Sequence, residues 1–409
     1  MNSRTITRAE YEDISYSGLG LTFEKARKLK EFLDSKKLSK ALDFKLSGIK
    51  TGSYVGVIKY SDFQLNIIPK IIGDTNSVCL ENLAFMLSYT RQLTIHTTGA
   101  AQLTNCQNPF LEVLIAHYAD VLLKALSRQV PHRYEPREEK LAIIKGKILF
   151  AQNIRHNFGN LAQTYCQFDE FTSDNLLNQT LKFVSHALQK LTGVSQTRQK
   201  LLKINAVYDE VTLRPITYAE TQKIILNRNQ TMFKKPLELA QMFLQNSTIS
   251  LHNHTFSNLA ILFDMNKLFE EFVYIALKRT YPQWNIKAQN SKQIITSINN
   301  IPNTDYTIRP DIIVNGNTII DTKYKIIDLP NHKPSEADIY QMLAYSKFYG
   351  VKNIILCYPT YQKNYHLLSV LEDNDCSITL LTLDLHQKLT GSYLQRIFYE
   401  SFKQQYMIL

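Results

Sequence analysis

The stretch from Asp311 to Asp321 constrains this chain more than any other part of it. Asp311-Ile312-Ile313-Val314 and Ile319-Ile320 are short β-branched runs on either side of Asn315-Gly316. β-Branched residues favour strands, and Asn-Gly between apolar runs is a strong hairpin signal. An acid that ends an otherwise apolar strand needs a reason, because an unpaired buried charge is costly. Before the hairpin, Leu262, Met265, Leu268, Phe269, Phe272 and Ile275 predict a helix over about 257–279. A further run, Ile294-Ile295, reads as strand. After the hairpin come a helix at about 335–348 and the apolar strand Asn353-Ile354-Ile355-Leu356-Cys357. From about residue 255, the order α-β-β-β-α-β predicts a mixed sheet flanked by helices.

The rest of the chain has a different character. Residues 50–71 read as a hairpin: Val55 and Val57, then Leu65 and Ile67, alternate around Ser61-Asp62, and Pro69 closes the segment. A helix is expected at about 22–40. Leu111, Leu114, Ile115, Tyr118, Val121, Leu122 and Ala125 fall on one face of a helix at 108–129. Ser173-Asp174 opens another, with Leu176, Leu177, Leu181, Val184 and Leu188 as its stripe and Asp174 as its cap. The fold class is therefore α+β or α/β. The expected division is a β-rich region at 1–105, a mainly helical region at 106–254 and the α/β module at 255–409, which suits a length of 409 residues.

Composition excludes several classes. Hydrophobic residues make up 44% and charged residues 20%, so the chain is neither wholly disordered nor collagen-like. Lys and Arg number 47 against 36 Asp and Glu, a net charge of +11, which suits a polyanionic partner or simply a solvated basic surface. The five cysteines are odd in number and form no CxxC, so buried reduced thiols are expected rather than disulfides or a zinc site. The first fifteen residues do not read as a signal peptide, and no run of about 18 apolar residues spans a membrane. A cytoplasmic protein is expected. The pattern GxxxxGK[ST] does not occur, so the chain is expected to bind no nucleotide of its own.

The hairpin carries the chemistry. Asp311 follows Arg309-Pro310, and Asp321-Thr322-Lys323 ends the second run. Two acids on adjacent strands with a lysine two residues past the second resemble the PD-(D/E)xK nucleases. The residue types suit the task. Phosphodiester cleavage uses a divalent ion to polarise phosphate and water, and Mg²⁺ takes one or two carboxylates plus water. A lysine beside it can orient or help deprotonate water and meet developing negative charge. Asp321 and Lys323 are two apart, so they share a strand face. Asp311 reaches that face only if the turn at Asn315-Gly316 is odd in length or bulged. With a three-residue loop, Ile313 is expected opposite Asn317 and Asp311 opposite Ile319. A two-residue loop would put Asp311 on the wrong face.

Two further pieces fit. Glu270, with Glu271 as its rival, lies on the preceding helix, where such folds often carry another metal-site carboxylate. Gln341 and Tyr345 are four apart on the following helix, hence on one face, and resemble the Gln-x-x-x-Tyr arrangement of RecB-like nucleases that contacts DNA. The candidate catalytic set is thus Asp311, Asp321, Lys323 and Glu270, with Asp311, Asp321 and Glu270 as ligands of Mg²⁺ and Gln341 and Tyr345 facing DNA. His252-Asn253-His254, His156 and His332 read as loop or surface residues. Lys145-Gly146-Lys147 with Arg155-His156 reads equally as a phosphate contact or a solvated turn.

A wider resemblance spans the chain from about residue 50 onward. Leu65-Asn66-Ile67-Ile68-Pro69-Lys70-Ile71, Lys145-Gly146-Lys147-Ile148, Phe168-Asp169-Glu170-Phe171 with Asp174 and Leu177-Asn178, Met265 to Glu270, and Asp321-Thr322-Lys323-Tyr324-Lys325 occur in the order of the McrC family. That resemblance implies the nuclease subunit of an McrBC-type, modification-dependent restriction system. It implies a partner, an McrB-like AAA+ ring driven by GTP that recognises methylated DNA. The N-terminal part, 1–105, would engage the ring and the C-terminal module would cut. The first fifty residues match nothing. A stand-alone RecB-like nuclease is the alternative enzyme, and an inactive adaptor that activates a partner NTPase is the alternative of another class.

Overall fold

A computed structural model describes residues 4–70, 76–90, 109–157, 159, 162–250, 254–293, 297–298, 301–302, 307–325, 334–360, 370–373, 376–385 and 388–406. It is a mixed α+β structure whose contacts gather into two compact units. One joins residues 1–58, 62–113 and 262–409, and the other comprises 59–61 and 114–261. Where the sequence was read in three consecutive regions, the contacts therefore bring the first and last parts of the chain into one unit.

In that discontinuous unit, strand β1 (Arg4–Ala9) is followed by helix α1 (Phe23–Ser35), which Thr22 caps by accepting from the Lys25 N–H. Strands β2 (Tyr54–Tyr60) and β3 (Phe63–Ile68) are the expected hairpin, turning at Ser61 with φ 54°. β1 pairs with β3 in parallel, Ala9 opposite Ile68. Ile71, the last residue of the segment read as hairpin, lies outside the described residues. Helix α2 (Asn76–Tyr89) follows.

The expected helix over 257–279 is shorter than the sequence suggested. Thr255–Asp264 is a strand, and helix α3 (Met265–Thr280) starts only after it. The Asp264 side chain accepts from the Asn266 N–H and so sets the boundary. The apolar run through Phe263 was read at helical period but lies in an extended conformation, an ambiguity inherent to short apolar runs. α3 packs Phe272 against Phe85 and Tyr89 of α2 at 6.1 and 5.5 Å between ring centres.

The sheet that follows is mixed and has six strands. β4 (Ile286–Ala288) runs antiparallel to β5 (Ile312–Val314), and β5 runs antiparallel to β6 (Thr318–Thr322). Helix α4 (Glu336–Tyr349) then leads to β7 (Asn353–Thr360), parallel to β6. β8 (Val370–Asp373) and β9 (Cys376–Asp384) complete it, with β9 parallel to β7. Helix α5 (Gly391–Tyr406) ends the described chain. Ile294 and Ile295, expected as strand, lie outside the described residues. Ile313, Ile319, Ile354 and Leu356 pack with Met342 and Tyr345 of α4 in one core. Each such side chain stabilises by about 1.5–3 kcal/mol on burial, enough to fix which strand face turns inward.

The second unit is helical around a small sheet. Tyr118, within the helix Pro109–Leu126, donates to the Leu181 carbonyl of the helix Leu176–Leu191 at 3.0 Å. The cap of that second helix is Asn175, not Asp174. Asp174 accepts instead from the Thr212 N–H, the Thr212 hydroxyl and Gln179. Three strands, Arg133–Leu141, Lys147–Ile148 and Thr164–Thr172, form an antiparallel sheet within the region read as mainly helical. The first of them is charged and largely exposed, so it carries no apolar alternation that would announce it. Among the described residues, no helix is long and apolar enough to cross a membrane.

Candidate active site

The hairpin of β5 and β6 pairs Ile312 with Ile320, Ile313 with Ile319 and Val314 with Thr318. The loop is therefore Asn315-Gly316-Asn317, of the odd length the sequence required. The register differs by one residue pair from the one expected, which set Ile313 opposite Asn317. Continued one step past β5, it sets Asp311 opposite Asp321 rather than Ile319. Asn315 and Gly316 have φ values of 50° and 76°, and the Asn317 N–H donates to the Val314 carbonyl. Two successive left-handed residues suit asparagine and glycine and few others.

Asp311 is held by β6 itself. Its Oδ2 accepts from the backbone N–H and the hydroxyl of Thr322, both at 2.7 Å. Its carbonyl accepts from the Gln289 N–H at 2.8 Å. Asp321 is 2% exposed, and Lys323 Nζ lies 2.6 Å from its Oδ2. That contact is a close ion pair. Burial, then the like charge of Asp311, pushes the Asp321 carboxyl up to about 7 against the pull of Lys323.

Lys323 is also tied to α4. Its Nζ donates to Gln341 Oε1 at 2.8 Å, Gln341 Nε2 donates to the Tyr345 hydroxyl at 2.8 Å, and that hydroxyl donates to the Arg309 carbonyl at 3.0 Å. The chain of contacts closes on the segment that leads into Asp311. Burial, with the charges of Asp321 and Asp311, raises the Tyr345 hydroxyl far above its ordinary range, so it is a neutral donor. Gln341 is exposed and Tyr345 is buried.

Glu270 stands beside this group. Its Oε1 accepts from Gln289 Nε2 at 2.7 Å. Burial raises its pKa, and Asp311 and Glu271 add to the rise while Gln289 and Arg309 oppose it. Between the two rivals on α3, Glu270 is the one that bonds Gln289 and feels the charge of Asp311. Among the described residues, no three His, Cys, Asp or Glu side chains gather closely enough to hold a metal ion by themselves. A cation here would rest on Asp311 and Asp321 and take its other oxygens from water and substrate. The buried carboxylate of Asp321, next to the second carboxylate of Asp311, fits such an ion.

Comparison with known proteins bears on what this arrangement belongs to. The family model described as "McrBC 5-methylcytosine restriction system component" matches residues 49–359. The chain belongs to that family. No curated protein matches it. Among solved structures, a chain of the refined half-complex from a tetradecameric assembly of Thermococcus gammatolerans McrB AAA+ hexamers with bound McrC is similar. Its TM-score is 0.74 at 20% identity, covering 97% of this chain and 100% of that one. A chain of the cryo-EM structure of the Thermococcus gammatolerans McrBC complex gives 0.51 at 22% identity, covering 68% and 88%. At such identities the likeness is one of fold.

Several residues of this McrBC-family chain that build the site carried no sequence signal. Thr322, between the two expected residues Asp321 and Lys323, anchors Asp311. Gln289 joins Asp311 to Glu270 from a left-handed conformation, φ 50°, that side chains rarely adopt. Lys325 and Asp338 form an ion pair at 3.0 Å. Burial raises the Asp338 carboxyl, but Lys325 and Ser335 outweigh it and hold the group below its ordinary range. Gly146 has a reason in the fold: its φ is 69°, and a Cβ there would meet the Gln167 carbonyl at 2.3 Å. Lys145 lies over the Phe168 ring at 4.0 Å. His156 is exposed, and Cys166, Cys357 and Cys376 are buried free thiols. His252, Asn253, His332, Cys106 and the side chain of Cys79 lie outside the described residues.

Proposed function

We propose that this chain is the DNA endonuclease subunit of an McrBC-type, modification-dependent (type IV) restriction system, cutting DNA with Mg²⁺ when a GTP-driven AAA+ partner activates it. The observation that carries the reading is the hairpin: Asp311 and Asp321 face each other across it, and Lys323 Nζ sits between Asp321 and Gln341. On this reading, residues from about 255 onward form a PD-(D/E)xK nuclease module. Asp311 and Asp321 would hold the ion, with Glu270 as a further carboxylate on α3. Bound there, Mg²⁺ would polarise the scissile phosphate and lower the pKa of a water. Lys323 is placed to orient that water and to meet charge developing on the phosphate. Gln341, exposed beside it, faces the side from which DNA would approach, and the net charge of +11 favours that approach.

The partner follows from what the sequence lacks. The Thermococcus structures pair McrB AAA+ hexamers with McrC, and an AAA+ motor needs a phosphate-cradling loop. This chain has no GxxxxGK[ST], which puts it on the McrC side of such a pair. It would act in the cytoplasm, where incoming DNA is met.

The test is cleavage of 5-methylcytosine-containing DNA by the chain together with an McrB-like AAA+ protein, GTP and Mg²⁺. Wild type should cut, and should stop when Mg²⁺ is chelated. Asp321→Ala should not cut, because no nearby group replaces a carboxylate on a hard cation. Cleavage by Asp321→Ala at the wild-type rate would remove this site from the reaction.

A further inference from the structure

The residue that follows Lys323 is tied to the far end of the chain. Tyr324 is 4% exposed and packs on Phe269 of α3 at 5.9 Å between ring centres. Its hydroxyl donates to Glu10 Oε2 at 3.0 Å. Glu10 is 3% exposed and follows β1 directly, its N–H donating to the Ile68 carbonyl at 3.1 Å. The same Oε2 accepts from the Lys70 N–H at 3.0 Å. Glu10 Oε1 is buried and has no hydrogen-bond partner. Lys70 Nζ lies 4.3 Å from the Tyr11 ring centre and 5.5 Å from that of Tyr324.

A carboxyl buried with one oxygen unsatisfied is an expensive way to hold two segments together. A satisfied amide or an apolar pair would stabilise more. The segment it grips is the one whose placement matters. The Lys323 N–H donates to the Cys357 carbonyl, and the Lys325 N–H turns back to the Lys323 carbonyl, so the chain leaves the sheet at this point. The bond from the Lys325 N–H to the Lys323 carbonyl closes a three-residue turn centred on Tyr324. Fixing the Tyr324 side chain therefore fixes the turn that begins at Lys323, and with it the backbone from which the Lys323 side chain leaves.

We infer that Glu10 is a positioning residue for Lys323, acting through the Tyr324 hydroxyl, so that the first strand of the chain forms part of the nuclease site. The inference rests on the nuclease reading above. The effect of Glu10 passes through one hydroxyl and one backbone segment. Small displacements of a catalytic group are costly, on the order of a hundredfold for about 1 Å.

The experiment uses the full chain with its AAA+ partner, GTP and Mg²⁺, and the variants Tyr324→Phe, Glu10→Ala and Glu10→Gln. Tyr324→Phe removes one oxygen and keeps the packing. It should lower kcat by roughly tenfold or more with KM for DNA unchanged. Glu10→Ala should lower kcat to a similar extent, the double variant should lose little more, and Glu10→Gln, which keeps an acceptor, should recover most of the rate. A second readout does not depend on cleavage: the rate of reductive methylation of Lys323, followed by mass spectrometry, should rise severalfold in Tyr324→Phe and Glu10→Ala. An unchanged kcat and an unchanged Lys323 labelling rate in Tyr324→Phe, with only the melting temperature altered, would overturn the inference. If wild type itself fails to cut, the nuclease reading falls, while the labelling rate still decides whether Glu10 positions Lys323.

Discussion

Lys323 and Glu10 are both buried or half-buried ionisable groups in the same unit, and they make different kinds of prediction. Lys323 holds an ion pair with Asp321 and a hydrogen bond to Gln341, so its loss leaves both carboxylates in place. Lys323→Ala should therefore lower single-turnover cleavage by about 10²–10⁴-fold, the range for a group acting on protons and charge. Mg²⁺ binding, read by calorimetry, should persist, and loss of that binding would mean Lys323 acts by building the metal site. Glu10 makes a stability prediction. Burial, chiefly, raises its pKa from 4.5 to about 7, against hydrogen bonds from Lys70 and Tyr324. A raised pKa means the folded state binds the proton more tightly, so the stabilisation is full below 4.5 and is lost as pH rises through about 7. Glu10→Gln carries no such proton. Relative to wild type, the variant should gain on the order of 3 kcal/mol between pH 4.5 and pH 8. Urea unfolding of both at the two pH values checks this, and a difference independent of pH would rule out a raised Glu10.

The element that matters most is the β5–β6 hairpin, because its register decides whether Asp311 and Asp321 meet. Deleting Asn317 makes the loop even and moves every β6 side chain to the opposite face relative to β5. Cleavage should be lost even though Asp311, Asp321 and Lys323 all remain. Gly316→Val should act differently. Space is open around Gly316, but a φ of 76° suits no β-branched residue, so the cost is strain of about 1–2 kcal/mol, seen as a lower melting temperature with cleavage retained at low temperature. A deletion variant that cuts normally would mean the register is not what assembles the site. The hairpin was legible in the sequence because Asn-Gly, β-branched runs and parity are local signals. The exact register was not, because a three-residue loop can be cut from this stretch at more than one place, and either cut keeps Ile313 and Ile319 on the face that packs with α4. The start of α3 was misplaced for a related reason, since Leu259 to Phe263 is apolar at either period. The strand Arg133–Leu141 left no trace because its side chains are mostly solvated. Thr322 and Gln289 were invisible as site residues because their roles depend on backbone position.

At the scale of the whole molecule, what the sequence could not show is contact across distance. Glu10 and Tyr324 are separated by 314 positions, and no periodicity or spacing links them. Asn82 likewise donates to the Leu385 carbonyl and accepts from the Leu389 N–H, holding α2 against the segment before α5. The unit that carries the candidate site thus depends on the beginning of the chain as well as its end, and residues 262–409 alone should not fold into an active nuclease. Docking on an AAA+ ring is a separate matter, since neither Asp321 nor Lys323 is expected to touch the partner. Asp321→Ala deletes a carboxylate within a core that α4 and β7 hold independently, so the rest of the unit should persist. Mixed with an McrB-like ring, Asp321→Ala should co-elute with it and raise its GTP hydrolysis as wild type does, while cutting no DNA. The purified chain without the ring should hydrolyse no GTP. GTPase measured beside cleavage, for wild type and Asp321→Ala, separates the two roles. Loss of GTPase stimulation together with cleavage in a variant that remains folded would show that the candidate site and ring engagement cannot be assigned to different surfaces.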